Sequence, residues 1–488
     1  MSKKGFKFQM YRDLQKKIPA IYADFKKAAQ KLKIKTEEQM NLGLTGAVSG
    51  IPAILREDVR EAMEEQAQKV VSLTVLVDEI RTLVKSVYGD EYDACPINTC
   101  EASLWVSFDC LCTPPLSGRG DNYRGRYIAP YERHIHHQAG YGRPFPPKYK
   151  DIFADRGSTS GELGFMGKRQ YNLDVILVPL VGARYDCHGI KFHPVPLLKY
   201  VDADKSLVQL TEVADRHSID LVGFSSLGYD TPGYGYGEKE KSGAPKLQIG
   251  IAKLAQKYNI PYIIDNAWGL PFIGADIRKI GCDVILYSMD KASGAPTSGL
   301  VIGKEEPLVA IRRALGMHGA RWGTTVSYGK AAYVTNDPGK EALSGQIAAL
   351  KVLRDKPEVL LKPLDDLYKL VKEEFAKLDN KIRKYFTITK SKNSWAVEIN
   401  YEDSWLDSDG LGVPIFTIED MYSNTNILQS GMSQIGIFPT IAYDANIFIS
   451  PGLGTCDSKG QLIDEKMRKA VRGLVMLIEI MCEHAGIL

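Results

Sequence analysis

The chain has 488 residues, a formal net charge of +3, 44% hydrophobic residues and 25% charged residues. That balance excludes a disordered chain and an overall polyanion binder, and it leaves enough chain for two or more lobes. No stretch approaches the ~18 consecutive apolar residues that span a bilayer, residues 1–7 lack a signal-peptide apolar region, and eight dispersed cysteines suit reduced thiols in the cytoplasm rather than a disulfide framework.

The first 35 residues hold eleven lysines and arginines against Asp13 and Asp24, a local charge of +9. Met10, Leu14, Ile18, Ile21, Tyr22 and Phe25 recur at helical spacing, which predicts an amphipathic arm packed on the body of the protein or a partner subunit, with its basic face in water. An RNA-contacting element is the alternative. Residues 1–75 read as a helical segment interrupted by a glycine-rich stretch at 41–52. From 76 to 330 strands alternate with helical patterns, as a parallel sheet requires, with strands at 126–129, 174–179 and 221–225 and around 262, 285 and 301. Two long polar loops, 118–147 and 228–243, have lengths that usually mark function. From 331 to 488, helical patterns at 340–354, 363–378 and 465–484 and a strand at 394–399 predict a smaller α+β domain.

The chemistry gathers in the middle region. Ile260-Pro261-Tyr262-Ile263-Ile264 is a short apolar run that reads as a buried strand. It delivers Asp265-Asn266-Ala267-Trp268-Gly269 at its carboxyl end, the edge at which open α/β sheets bind ligands. The next strand, 282–287, is followed by Lys291, 26 residues beyond Asp265. A carboxylate ending one strand and a lysine just past the next are what pyridoxal phosphate (PLP) requires. The lysine forms a Schiff base with the aldehyde, and the carboxylate keeps the pyridinium nitrogen protonated. Taken singly, Asp265 reads as a loop cap and Lys291 as one surface lysine among many; their pairing at two strand ends sets them apart. No metal is expected. Cys110-x-Cys112 is too closely spaced for a usual zinc pair, and nothing completes the set His134, His136 and His137. No G-x-G-x-x-G or P-loop motif points to a nucleotide.

The segment 210–303 resembles the large domain of fold-type I PLP enzymes, the aspartate aminotransferase superfamily. Its D-N-A-W-G run (265–269) and its S-x-D-K-x-x-G-x-P-x-x-G-x-x-x-G run (288–303) are most similar to the selenocysteine-synthase-like branches. The resemblance implies an α/β fold: a three-layer large domain (76–330) with a mostly parallel, seven-stranded sheet, and a small α+β domain (331–488). It also implies a homodimer with shared sites, because Gly323-Thr324-Thr325 after Trp322 is similar to the segment that reaches a partner's phosphate.

Site roles follow from the same resemblance. Thr99 and the amides of Cys100 and Glu101, in a loop opening a helix, are candidate phosphate donors; a plain N-cap at Thr99 is the alternative. His134 would stack on the cofactor ring and relay protons, with His136 and His137 as rivals. Ala267 would pack on the opposite ring face, Ser225 or Ser226 would meet the phenolic oxygen, and Ser288 would supply a phosphate hydroxyl. Arg184, Arg313 and Arg321 are candidates for a substrate carboxylate; the stretch 448–454, where many relatives hold that arginine, has none. Asp290, rather than histidine, precedes Lys291. That departs from the decarboxylases and is more typical of enzymes that eliminate or replace a β-substituent. The expectation is a PLP-dependent lyase or transferase acting on an amino-acid-type substrate, a free small molecule before a tRNA-bound one. An aminotransferase or decarboxylase is the alternative, and a non-catalytic RNA-binding or scaffold relative is the alternative of a different class.

Overall fold

A computed structural model describes residues 7–45, 52–112, 126–131, 191–196, 202–228, 237–315, 336–401, 404, 413–415, 427–439, 441–443 and 446–488. The expectations placed on His134, His136, His137, Arg184, Arg321, Thr324 and the strand at 174–179 lie outside these residues.

In chain order the first elements are α1 (Lys7–Ala29), β1 (Leu42–Gly43), α2 (Glu57–Ala67), α3 (Leu73–Tyr88), β2 (Tyr92–Ile97), α4 (Cys100–Cys112), β3 (Arg126–Tyr131) and β4 (Lys191–Pro196). Then come α5 (Ala203–Arg216), β5 (Leu221–Leu227), α6 (Lys246–Tyr258), β6 (Tyr262–Asp265), β7 (Val284–Ser288), β8 (Gly299–Lys304) and α7 (Glu305–Ala314). The carboxy-terminal part holds α8 (Lys340–Asp355), α9 (Glu358–Phe375), β9 (Thr387–Ser391), β10 (Ala396–Asn400), α10 (Ile427–Gln434), β11 (Ile437–Phe438), β12 (Ile441–Tyr443), β13 (Asn446–Ile449) and α11 (Asp464–His484).

The main sheet has seven strands in the order β2-β8-β7-β6-β5-β3-β4. Its neighbours are parallel except at β8, which is antiparallel to both β2 and β7. The central strands are buried on both faces, and for that reason β6 and β7 read as unbroken apolar runs rather than alternating ones. One face packs Ile263, Leu286 and Val301 against Leu104 and Phe108 of α4 and Leu308 and Ile311 of α7. The other packs Tyr262, Ile264, Ile285 and Ile302 into the larger cluster, with Leu247 and Ile251 of α6 and Ile80 of α3. The result is a three-layer α/β/α arrangement.

Strands β2 and β4 escaped the sequence reading. Each carries proline (Pro96; Pro194 and Pro196), which argues against a central strand. Among the described residues both are edge strands, where a missing amide is tolerated. The helix expected from residue 363 begins at Glu358 and contains Pro363 in its second turn. Burial of Leu360, Leu364 and Leu367 along one side holds the first turn in place, so the proline costs one backbone bond rather than the helix.

A second, four-stranded antiparallel sheet, β12-β13-β10-β9, lies in the carboxy-terminal part. The basic arm α1 buries Leu14, Ile21 and Phe25 and docks on α10 and α11. There Lys17 Nζ donates to the His484 carbonyl at 2.6 Å, and His484 Nε2 meets Asp24 at 2.9 Å. Among the described residues no helix is long and apolar enough to cross a membrane.

Asp93, on β2, ties the sheet to its helical layers. It is fully buried and accepts from Arg81 Nε and Nη2 at 2.8 and 3.0 Å, from the Ala94 amide at 2.8 Å, and from Arg312 on α7. Burial pushes its pKa up, but the hydrogen bonds from Arg81 and the charge of Arg312 outweigh burial and hold the carboxyl below its usual range. A depressed folded value means that its stabilisation is complete above the unfolded value of about 3.9 and is lost as pH falls through the folded one. Replacement by Asn leaves two partly buried guanidinium groups without their carboxylate. Asp93→Asn should therefore lower stability to urea by about 3–5 kcal/mol at neutral pH. The gap to the wild type should narrow as the pH is taken below about 4.

Candidate functional site

The parallel strands end at one sheet edge, and the sequence motifs arrive there together. Asp265 is the last residue of β6 and pairs with Leu227 on one side and Leu286 on the other. Ser225 pairs with Ile263, two residues back along β6. Side chains alternate along a strand and in-register neighbours share a face, so Ser225, Asp265 and Ser288 project to the same side. That side is the one covered by α4, as Ile263, Leu286 and Leu227 packing against α4 residues shows. Ser226 projects the other way, where its hydroxyl meets the buried Tyr262 phenol at 2.6 Å. The structure thereby separates two serines that the sequence left as alternatives. Ser225 is fully buried, and its hydroxyl has no hydrogen-bond partner among the described residues.

Helix α4 begins at this edge. The Thr99 hydroxyl accepts the Ala102 amide at 3.0 Å, so Thr99 is an N-cap. The amides of Cys100 and Glu101 belong to the first turn, which no intrahelical carbonyl satisfies. The Cys100 thiol is buried and pushed up, first by burial and then by the charge of Asp265, with Asp290 and Glu101 adding to the shift and Lys291 opposing it. Cys100 is therefore a neutral thiol rather than a nucleophile. Three carboxylates and the lysine thus all act on the charge state of this thiol at the amino terminus of α4.

Lys291 lies in the return from β7 to β8. This loop closes on itself through Met289 N to Ser298 O and Ala295 N to Met289 O, both 2.9 Å. The Lys291 ammonium sits 5.5 Å from the centre of the Trp268 ring, three residues past Asp265. Trp268 in turn packs edge-on against Phe448 of β13 at 5.6 Å. Ala267 is buried beside it and donates its amide to Asp265 Oδ1 at 3.1 Å. The Ser288 hydroxyl donates to the buried Asp290 carboxylate at 2.5 Å. Two motif glycines have local causes. Gly294 has φ +68°, and a Cβ there would sit 3.0 Å from Arg56 Nη1. Gly299 lies against α4, where a Cβ would meet the Thr99 carbonyl oxygen at 2.5 Å.

Several site residues carried no local signal. Arg56 is buried, is held by Asp58 through Nε and Nη2 at 3.0 and 3.2 Å, and donates Nη1 to the Ser293 carbonyl at 3.1 Å. It fixes the lysine loop from 237 residues away. Thr45, Ser394, Trp395 and Ser450 join Trp268, Lys291 and Ala292 around a cavity of about 10 Å³. Of the three arginines considered for a substrate carboxylate, the described one, Arg313, is exposed on α7 and does not line this cavity. Among the described residues no group of three His, Cys, Asp or Glu side chains is arranged to hold a metal ion.

No family model matches the sequence, and no curated protein matches it. Solved structures resemble the chain at low identity. One is a D-glucosaminate-6-phosphate ammonia-lyase, 14% identical, covering 91% of this chain and 96% of that one with a TM-score of 0.46. Another is a SepCysS–SepCysE N-terminal domain complex, 11% identical, covering 90% and 95% with a TM-score of 0.49. A third is the taurine:2-oxoglutarate aminotransferase of Bifidobacterium kashiwanohense in complex with PLP and glutamate, 12% identical, covering 86% and 85% with a TM-score of 0.47. Likeness at this level assigns no chemistry to individual residues.

The contact between β8 and the start of α4 is testable. A methyl group at 299 meets a backbone carbonyl as well as the Ser103 hydroxyl, so one element must shift. Gly299→Ala should cost about 1–3 kcal/mol in chemical denaturation. A melting profile unchanged from the wild type would show that α4 does not pack this closely.

Proposed function

We propose that the protein is a PLP-dependent enzyme acting on an amino-acid-type substrate, with Lys291 as the cofactor-bearing amine. The observation that carries this reading is the convergence, on one face and one edge of the sheet, of a buried strand-end carboxylate, a buried hydroxyl without a described partner, a helix amino terminus and a lysine.

Each group suits a different part of the cofactor. Asp265 would hold the ring nitrogen protonated, and burial makes that charge pairing strong. Ser225, whose hydroxyl has no described partner, would meet the ring oxygen. The Cys100 and Glu101 amides would take the phosphate at the positive end of α4. Ala267 would pack on one ring face. When bound, PLP supplies the electron sink that labilises a bond at the substrate Cα. The protein's own part is to position, exclude water and move protons. Trp268 holds the Lys291 ammonium in place from below, and Arg56 fixes the loop behind it. Asp290 is buried one residue before the lysine and accepts the Ser288 hydroxyl. A paired acceptor beside a lysine that takes and returns the Cα proton supports β-elimination or β-replacement as the finer reading. His134 as ring-stacking residue and Thr324 as a phosphate contact across a homodimer belong to the same proposal.

Purified protein with added PLP should show a visible absorption band that borohydride abolishes, and Lys291→Ala should not form it. Asp265→Asn should bind PLP more weakly, with its band shifted. No band in the wild type at excess PLP would overturn the reading and favour a binding or scaffold role.

A further inference from the structure

The cavity beside Lys291 has a wall that the cofactor chemistry leaves unused. It comes from the chain after β1, from the β9–β10 hairpin and from the residue after β13. Thr45 is 2% exposed, lines the cavity, and has a hydroxyl with no hydrogen-bond partner among the described residues. Buried polar groups are nearly always paired, so a hydroxyl left open toward a cavity points to a ligand. Ser394 is 1% exposed and donates its own proton to Glu398 Oε1 at 2.8 Å. Glu398 is buried and also accepts from Asn446 Nδ2 at 3.2 Å. With its proton committed, the Ser394 oxygen turns only lone pairs toward the cavity.

Size and charge narrow the occupant. A volume of about 10 Å³ is room for one water-sized group, roughly the minimum such a cavity needs. A carboxylate has three heavy atoms, has no proton for Ser394 to accept, and would face a second carboxylate behind that serine. An ammonium group would face Lys291, which lines the same space. A hydroxyl fits: it donates to Ser394 and exchanges a hydrogen bond with Thr45, between walls that include Trp268 and Trp395. Trp395 has φ +44°, a conformation rarely adopted by large side chains. The hairpin thus holds Ser394 and Trp395 at the cavity against local strain, as is common at ligand sites.

We infer that the site selects an amino substrate carrying a hydroxyl group, which seats between Thr45 and Ser394, rather than one carrying a second carboxylate. This deepens the PLP reading and rests on it. The test is a titration of PLP-loaded protein with L-homoserine, L-2-aminobutyrate and L-aspartate, following the change in the visible band.

Homoserine should half-saturate at a concentration about tenfold below either analogue, the factor one well-made hydrogen bond supplies. Thr45→Val and Ser394→Ala should each bring the three ligands together, and Thr45→Ser should retain the preference. Without ligand, Thr45→Val should melt no lower than the wild type, because it removes a buried hydroxyl that has no described partner. Equal or tighter binding of aspartate or 2-aminobutyrate, or a preference that survives both Thr45→Val and Ser394→Ala, would overturn the inference while leaving the cofactor assignment standing. Absence of the band itself would remove the cofactor assignment and this inference together.

Discussion

The site depends on one reversal of chain direction. Strands β5, β6 and β7 run parallel, so each must leave the sheet at the same edge and return by a helix. After β7 the chain turns back directly, and β8 runs antiparallel between β7 and β2. The loop that makes this turn stays at the carboxyl edge, and Lys291 is in it. The antiparallel placement also brings Gly299 against the start of α4, because β2, on the other side of β8, ends at that edge and leads into the helix. Lysine loop, helix amino terminus and strand-end carboxylate are thus three consequences of a single strand order.

The charges at this edge are arranged rather than balanced pair by pair. Asp265, Asp290 and Glu101 lie with Lys291 around Cys100, and all four influence its thiol. Buried carboxylates persist only where donors meet them. Asp265 takes the Ala267 amide and Asp290 takes the Ser288 hydroxyl. The Asp93 cluster shows the contrasting use of charge. Two arginines close around one buried carboxylate near the start of β2, and its effect is to bind layers together.

What the sequence disclosed follows from how local each signal is. Asp265 and Lys291 were legible because each follows an apolar strand within a few residues, and strand ends in such sheets face ligands. The glycines of the lysine run were legible as a pattern but not as causes: Gly294 answers to Arg56, and Gly299 to the Thr99 carbonyl. Ser225 and Ser226 were inseparable by residue type and were resolved only by the pleat, which sends one to α4 and the other to Tyr262. Arg56, Thr45 and Ser394 stayed silent because the lysine loop and cavity they face lie far away along the chain. Strands β2 and β4 were missed for a local reason, proline, whose penalty vanishes at a sheet edge.

The two halves of the site carry different kinds of information, and the chain builds them differently. The half that suits the cofactor stands on the ends of central strands, buried on both faces, where close packing fixes side chains firmly. The facing half is assembled from turns: the segment after β1, which takes a hydrogen bond from Ser450 through Leu44, and the hairpin that holds Trp395 at positive φ. Turns accept substitution without disturbing a sheet. A change of one hydroxyl in these turns would alter the cavity wall and leave the lysine, its carboxylate and the helix end where they are.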